Sequence, residues 1–384
     1  MIKKSLLPLS LCLLLSVSGC AQLGYYAQAV EGQVSLLSSA RPIDQWLADP
    51  AVRDDLKSRL RRTQQIRAFA ARELGLPDNG SYKNYADLKR KYVMWNVVAT
   101  PELSMKPQQW CFPVAGCVDY RGYYSKDAAE AFATGLKHQG FDARVSGVPA
   151  YSTLGWFNDP VLSTFIEYPE AEVARMVFHE LAHQVAYAPG DSQFNESFAT
   201  AVEEIGVARW LEAQGSNQMR DDYRIHMQRK EDFLGLLDIY RRKFEDNYLR
   251  PVPDADKRQR KGQLGEALRQ EYEAMKAERW GGYAGYDGWF DGPVTNAHFV
   301  LVATYHDLVP AFRGLRAESA GFSQFYREVR QLTRLPKAER RLRLARFLPT
   351  PLPREPADSR PVQVMPAQQT PAMHLLPTAT AASQ

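Results

Sequence analysis

The sequence predicts an α+β protein, mainly helical, in which a small strand-bearing N-terminal region packs on a helical core. Strand-like segments cluster before residue 151 and helix-like segments follow residue 169, so the elements are segregated instead of alternating as βαβ units do. The composition, 45% hydrophobic and 24% charged over 384 residues, is that of a globular chain with enough apolar side chains for a sizeable core. It excludes a collagen-like, wholly disordered or multi-span membrane protein.

The elements follow in chain order. Lys3 and Lys4 open the sequence, an apolar run extends from Leu6 to Leu15, and Ser16, Ser18 and Gly19 precede Cys20. A charged start, a short apolar centre and a small-residue end describe a secretory signal, too short to span a bilayer of about 30 Å. Val17-Ser18-Gly19-Cys20 resembles the bacterial lipoprotein box, which implies a signal peptide over 1–19 and a lipid on Cys20. The next residue is Ala21, not the Asp of an inner-membrane retention signal. The resemblance therefore implies a lipid-anchored envelope protein at the outer membrane, facing the periplasm.

Residues 43–76 carry helix formers with few breakers, and Leu76-Pro77-Asp78-Asn79-Gly80 ends the run. Lys91 to Thr100 is β-branched and aromatic, a strand, and 111–125 reads as strand and turn. Cys12 leaves with the signal and Cys20 takes the lipid, so Cys111 and Cys117 remain as an even pair in an oxidising compartment. They read as a small disulfide-closed loop. A short helix over 127–140 and a strand over 143–151 precede a mostly helical stretch from 169 to 247. A charged helix follows over 254–279, then Gly-rich aromatic sequence at 281–286, then helices to about Phe347. From Pro349 the composition changes: the last 36 residues hold 8 of the 24 prolines. Such a segment buries too little surface to offset its ordering entropy and reads as a disordered tail over 349–384, leaving one domain over 20–348. The formal charge of +4 falls to about +2 without Lys3 and Lys4, too little to argue for a nucleic-acid partner.

The chemistry concentrates in a helix pair over 169–206. In Phe178-His179-Glu180-Leu181-Ala182-His183 the two histidines point about 40° apart, one turn above the other. Imidazoles so placed can share one Zn²⁺, and Glu180 beside the first can reach the water on it as a general base. The helix is well specified: Pro169 at its start, Glu170 and Glu172 at the positive end of the dipole, an apolar stripe of Val173, Val177, Leu181 and Val185, and Pro189-Gly190 as a stop. A second helix capped by Asp191 or Ser192 carries Glu196, the candidate third ligand. His183 and Glu196 each lie roughly 7 Å from the turn, side by side in an antiparallel pair.

His179-Glu180-x-x-His183 with Asn195-Glu196-x-x-Ala199 downstream resembles the gluzincin metallopeptidases, the thermolysin-like and aminopeptidase-N-like clan. Three segments together resemble, more narrowly, the predicted bacterial aminopeptidase lipoproteins: Cys111 to Tyr123, Ala150 to Pro160, and His179 to Glu203. The resemblance covers about Tyr25 to Phe347. It implies a gluzincin-like helical core, one zinc ion on His179, His183 and Glu196, Glu180 as the base, and peptides as substrates. The chain departs from the clan in the 12 residues between His183 and Glu196, fewer than usual, and in Thr200, which stands where an Asp steadies a ligand histidine. Glu203, the nearest acid on that face, is the expected orienter of a ligand imidazole.

The clan's oxyanion donor is a Tyr or His from a later helix. Tyr305 is the candidate, with His306, His298 and Tyr286 behind it. An aminopeptidase also needs a carboxylate for the substrate's ammonium group, and Asp159 in Asn158-Asp159-Pro160 is the candidate, unless it only forms a turn. Two other readings stay open: a zinc endopeptidase acting on envelope proteins, and a non-catalytic envelope lipoprotein with a structural zinc site.

Overall fold

The computed structural model describes residues 24–112 and 116–348. The expected leader, Cys20 and the Pro-rich tail lie outside the described residues. Helix α1 covers 24–39, followed by β1 (Arg41–Pro42), α2 (Ile43–Ala48) and α3 (Asp54–Leu74). The single helix expected over 43–76 is therefore two. Asp49 is extended (φ −76°, ψ 116°), as a residue before proline must be, and Pro50 has no N–H to continue the ladder. Gly75, in the left-handed region at φ 64°, ends α3 with its N–H on the Ala70 carbonyl.

The strands β2 (Asn84–Ala86), β3 (Met94–Pro101), β4 (Trp110–Phe112), β5 (Gly116–Val118), β6 (Arg121–Tyr123), β7 (Phe141–Val148) and β8 (Val161–Leu162) surround helix α4 (Lys126–His138). They form two three-stranded sheets, β1-β2-β8 and β6-β3-β7, and a β4-β5 hairpin. β3 pairs antiparallel with β7 along its whole length, from Met94 opposite Val148 to Pro101 opposite Phe141. The period-two alternation then decides the layers: Val97 and Ala99 face α4 through Ala129, Ala133 and Leu136, and Val98 faces Ala297 and Val300 on the other side.

The helical part comprises α5 (Glu170–Val185), α6 (Ser192–Gln214), α7 (Asn217–Leu249), α8 (Asp254–Arg279), a 3₁₀ turn at Asp287–Phe290, α9 (Asn296–His306), α10 (Val309–Glu318), α11 (Phe322–Thr333) and α12 (Lys337–Ala345). The molecule is mainly helical α+β, as expected. The stripe Val173, Val177 and Leu181 is buried, but so are Ala174, Phe178 and Ala182 on the other faces of α5. Helix α5 is thus a central core helix, most of whose residues are buried; of its polar residues, Glu170, Arg175 and Gln184 are partly exposed.

The main core joins α3, α5, α6, α10 and α11 around Phe178, Phe194, Phe198, Phe312 and Phe325. A second core lies between α7 and α8, where Phe233 stacks on Tyr286 at 4.2 Å and Tyr272 on Phe290 at 4.5 Å.

Candidate metal centre and active site

Helices α5 and α6 run antiparallel through a tight turn. Pro169 precedes α5 in an extended conformation, and the Asp191 side chain accepts the Phe194 N–H at the start of α6. Asn195 fastens the turn from inside: its amide oxygen accepts the Ala188 N–H at 2.7 Å and its Nδ2 donates to the Ala188 carbonyl at 3.0 Å.

This turn brings His179, His183 and Glu196 together, all buried. His183 Nε2 lies 3.2 Å from His179 Nε2. Glu196 Oε2 lies 3.2 Å from His179 Nε2 and 3.5 Å from His183 Nε2. Such a group can hold a metal ion.

Glu203, one and two turns beyond Thr200 and Glu196 respectively on α6, accepts the His179 Nδ1–H at 2.8 Å. In the neutral ring that bond fixes the tautomer and leaves the Nε2 lone pair directed at the cluster. Arg175 completes the arrangement by donating to Glu203 at 3.2 Å and to Glu172 at 2.9 Å. Arg175 was not singled out from the sequence. The signal was present, since it stands four residues before His179 and so one turn away on the same face.

The electrostatics follow from crowding charges in a dry interior. Burial alone would raise Glu203, but the Arg175 charge and the His179 hydrogen bond override it and bring its pKa to about 2. Burial disfavours a charged imidazole at His179, yet bonds to Glu196 and Glu203 lift it to about 10. At Glu196, burial is likewise outweighed by the histidines, and its carboxyl is held well below the usual range. Glu180 behaves differently: burial dominates and raises its pKa despite the neighbouring histidines. A carboxylate with raised proton affinity suits proton transfer.

Glu180 lines a cavity of about 390 Å³, whose wall includes Ser146, Thr164, His179, Thr200 and Tyr305. The Tyr305 ring stacks on His179 at 6.0 Å, and burial with the nearby Glu196 charge pushes its hydroxyl well up. Of the other candidates, His306 lines the same cavity. His298 caps the start of α9 through Thr295 and contacts Arg144, and Tyr286 belongs to the second core. Asp159 is 5% exposed and accepts from Thr153 N at 3.0 Å and Thr153 Oγ1 at 2.7 Å. Its carboxylate closes the 153–159 loop and is not part of the cavity wall; burial pushes its pKa up to about 6. Tyr120, after β5, is a further neighbour, its hydroxyl pushed up by burial and by the charges of Glu196 and Glu180. Cys111 and Cys117 are disulfide-bonded across the β4-β5 hairpin. No described helix is long and apolar enough to cross a membrane.

No curated protein and no solved structure matches the chain. Residues 24–344, most of its length, match the family described as "Putative aminopeptidase". With that match beside a buried His-His-Glu group, of which His179 lines a cavity, the chain belongs to this aminopeptidase family and is, in general terms, a peptidase.

Proposed function

We propose that the protein is an exported zinc aminopeptidase, made with a signal peptide over 1–19, anchored by lipid at Cys20 to the outer membrane, and hydrolysing peptides on the periplasmic side. One observation carries the metal part of this reading: His179 Nε2, His183 Nε2 and Glu196 Oε2 stand 3.2–3.5 Å apart. Ligand atoms around a tetrahedral ion with bonds of about 2.0–2.2 Å stand about 3.3–3.6 Å apart. Two imidazoles and one carboxylate are also a donor set that zinc favours in hydrolases, with a fourth position left for water. The restriction to free N-termini rests on the family alone.

When bound, zinc supplies a polarised scissile carbonyl and a water acidified toward neutral pH. The chain's own residues do the rest. Glu180 takes the proton of the attacking water, which its raised pKa favours, and passes it to the departing amine. Tyr305 offers a hydroxyl donor on the same cavity wall for the developing oxyanion. Glu203 and Arg175 hold the His179 ring in place.

The test is Glu180→Gln beside wild type, with metal content measured and peptides offered with free or acetylated N-termini. Loss of turnover by about 10²–10⁴-fold with zinc retained is the expected result. Unchanged turnover in the variant would exclude Glu180 as base, and equal cleavage of acetylated peptides would convert the reading to an endopeptidase.

A further inference from the structure

A metal cage demands that its ligands keep their separation to within about 0.2 Å. Two of the three ligands here sit on α5 and one on α6, so a slide of one helix past the other would open the cage. The turn between them is therefore a control point. Asn195 fastens it from inside, and Arg340 and Arg341, in α12, each hold Asp191 at 2.5 Å. The third fastening comes from outside, from the β4-β5 hairpin.

Gly116, at φ +74°, lies directly against the turn. A Cβ on it would stand 2.5 Å from Gly190 N and 3.0 Å from Gly190 Cα and the Pro189 carbonyl carbon. Gly190 is itself left-handed at φ +78°, and a Cβ there would stand 3.7 Å from Cys117 N. At Gly116 the two backbones meet with no room for a side chain, while Gly190 needs glycine for its left-handed backbone. Gly116 in turn is held by its neighbour Cys117, which faces Cys111 across the hairpin and is bonded to it. Each strand of this hairpin has three residues, and an isolated two-stranded hairpin is at best marginally stable, so the covalent link is what keeps it closed. Beyond β5 the chain reaches Tyr120, packed against Val98, Ala297 and Val300. Helix α9, which supplies two of those contacts, also carries Tyr305 onto His179.

We infer that the hairpin closed by Cys111–Cys117 is a positioning element of the metal centre: it latches the turn between the two ligand helices, and opening its disulfide weakens metal binding. The inference rests on the metal-binding reading above. Cys111 is exposed, so the latch is open to reductants.

The experiment measures Co²⁺ affinity of the full chain by competition with a chromophoric chelator, together with the Co²⁺ absorption spectrum. Gly116→Ala pushes the hairpin off the turn with the disulfide intact, and the double variant Cys111→Ser, Cys117→Ser opens it. Gly140→Ala is the control. Gly140 has the same left-handed backbone (φ +84°) but open space around it, so it carries the strain without touching the turn. Gly116→Ala and the serine pair are expected to bind Co²⁺ about tenfold more weakly with an altered spectrum. Gly140→Ala is expected to match wild type, and wild type reduced and then reoxidised to recover its affinity. Native affinity in both test variants would overturn the latch, as would an equal loss in Gly140→Ala. A wild type that takes up no cobalt would instead overturn the metal reading itself.

Discussion

Among the described residues the antiparallel helix pairs α7–α8 and α5–α6 differ in what they bury between them. Between α7 and α8 the interior is Phe233, Leu236, Leu237, Tyr240, Phe244, Leu264, Leu268 and Tyr272. The buried cations of this pair reach other elements: Lys230 pairs with Glu204 and Lys261 with Asp142. Between α5 and α6 the interior also holds His179, His183, Glu196 and Glu203, with Glu172, Glu180 and Glu204 on the same two helices. Burying charge costs free energy unless it is paired, and a hydrophobic replacement of such pairs is often no less stable. The first pair follows the rules for holding a fold together. The second departs from them where the chemistry is, and departures of this kind concentrate at functional sites.

The contrast can be broken at four points. His183→Ala has the largest expected effect: metal binding and turnover are both lost while helical circular dichroism is kept, since the residue serves the site and not the packing. Retained stoichiometric metal in that variant would contradict the assignment. Phe233→Ala should do the reverse, lowering unfolding free energy by about 3–5 kcal/mol with metal affinity unchanged; urea titration and metal competition on the same sample separate the two.

Asp159→Asn probes a buried carboxyl outside the cluster. Its pKa of about 6 in the folded state stands above the ordinary value of 3.8, so the native state binds the proton more tightly than the unfolded one. Wild-type stability should fall relative to Asp159→Asn as pH rises from about 4 to about 6, by about 3 kcal/mol at most, and run parallel above that. Urea midpoints at pH 4, 5, 6 and 7 measure it, and a constant difference would count against the shift. Glu203→Gln has the smallest effect, about tenfold weaker metal binding, because the amide oxygen still accepts from His179 Nδ1 but without its charge. An unchanged chelator-competition curve would reduce Glu203 to an ordinary buried acid.

What was readable from the chain alone is what local rules govern. Helix periodicity put His179 and His183 on one face, and Pro169 and Asp191 set where the two helices begin, whereas the first ends at Val185, before the expected stop at Pro189-Gly190. A 12-residue gap across a tight turn then sufficed to bring Glu196 beside them, and two leftover cysteines sufficed to pair Cys111 with Cys117. The tertiary structure decided what depends on approach between distant segments. Only packing shows that Arg175 reaches Glu203 and that Tyr305 lies over His179. Only packing shows Gly116 pressed on Gly190. A sequence encodes φ, ψ preference and face within a few residues of each position, whereas these contacts join residues tens to more than a hundred positions apart, whose meeting is set by how whole layers come to rest.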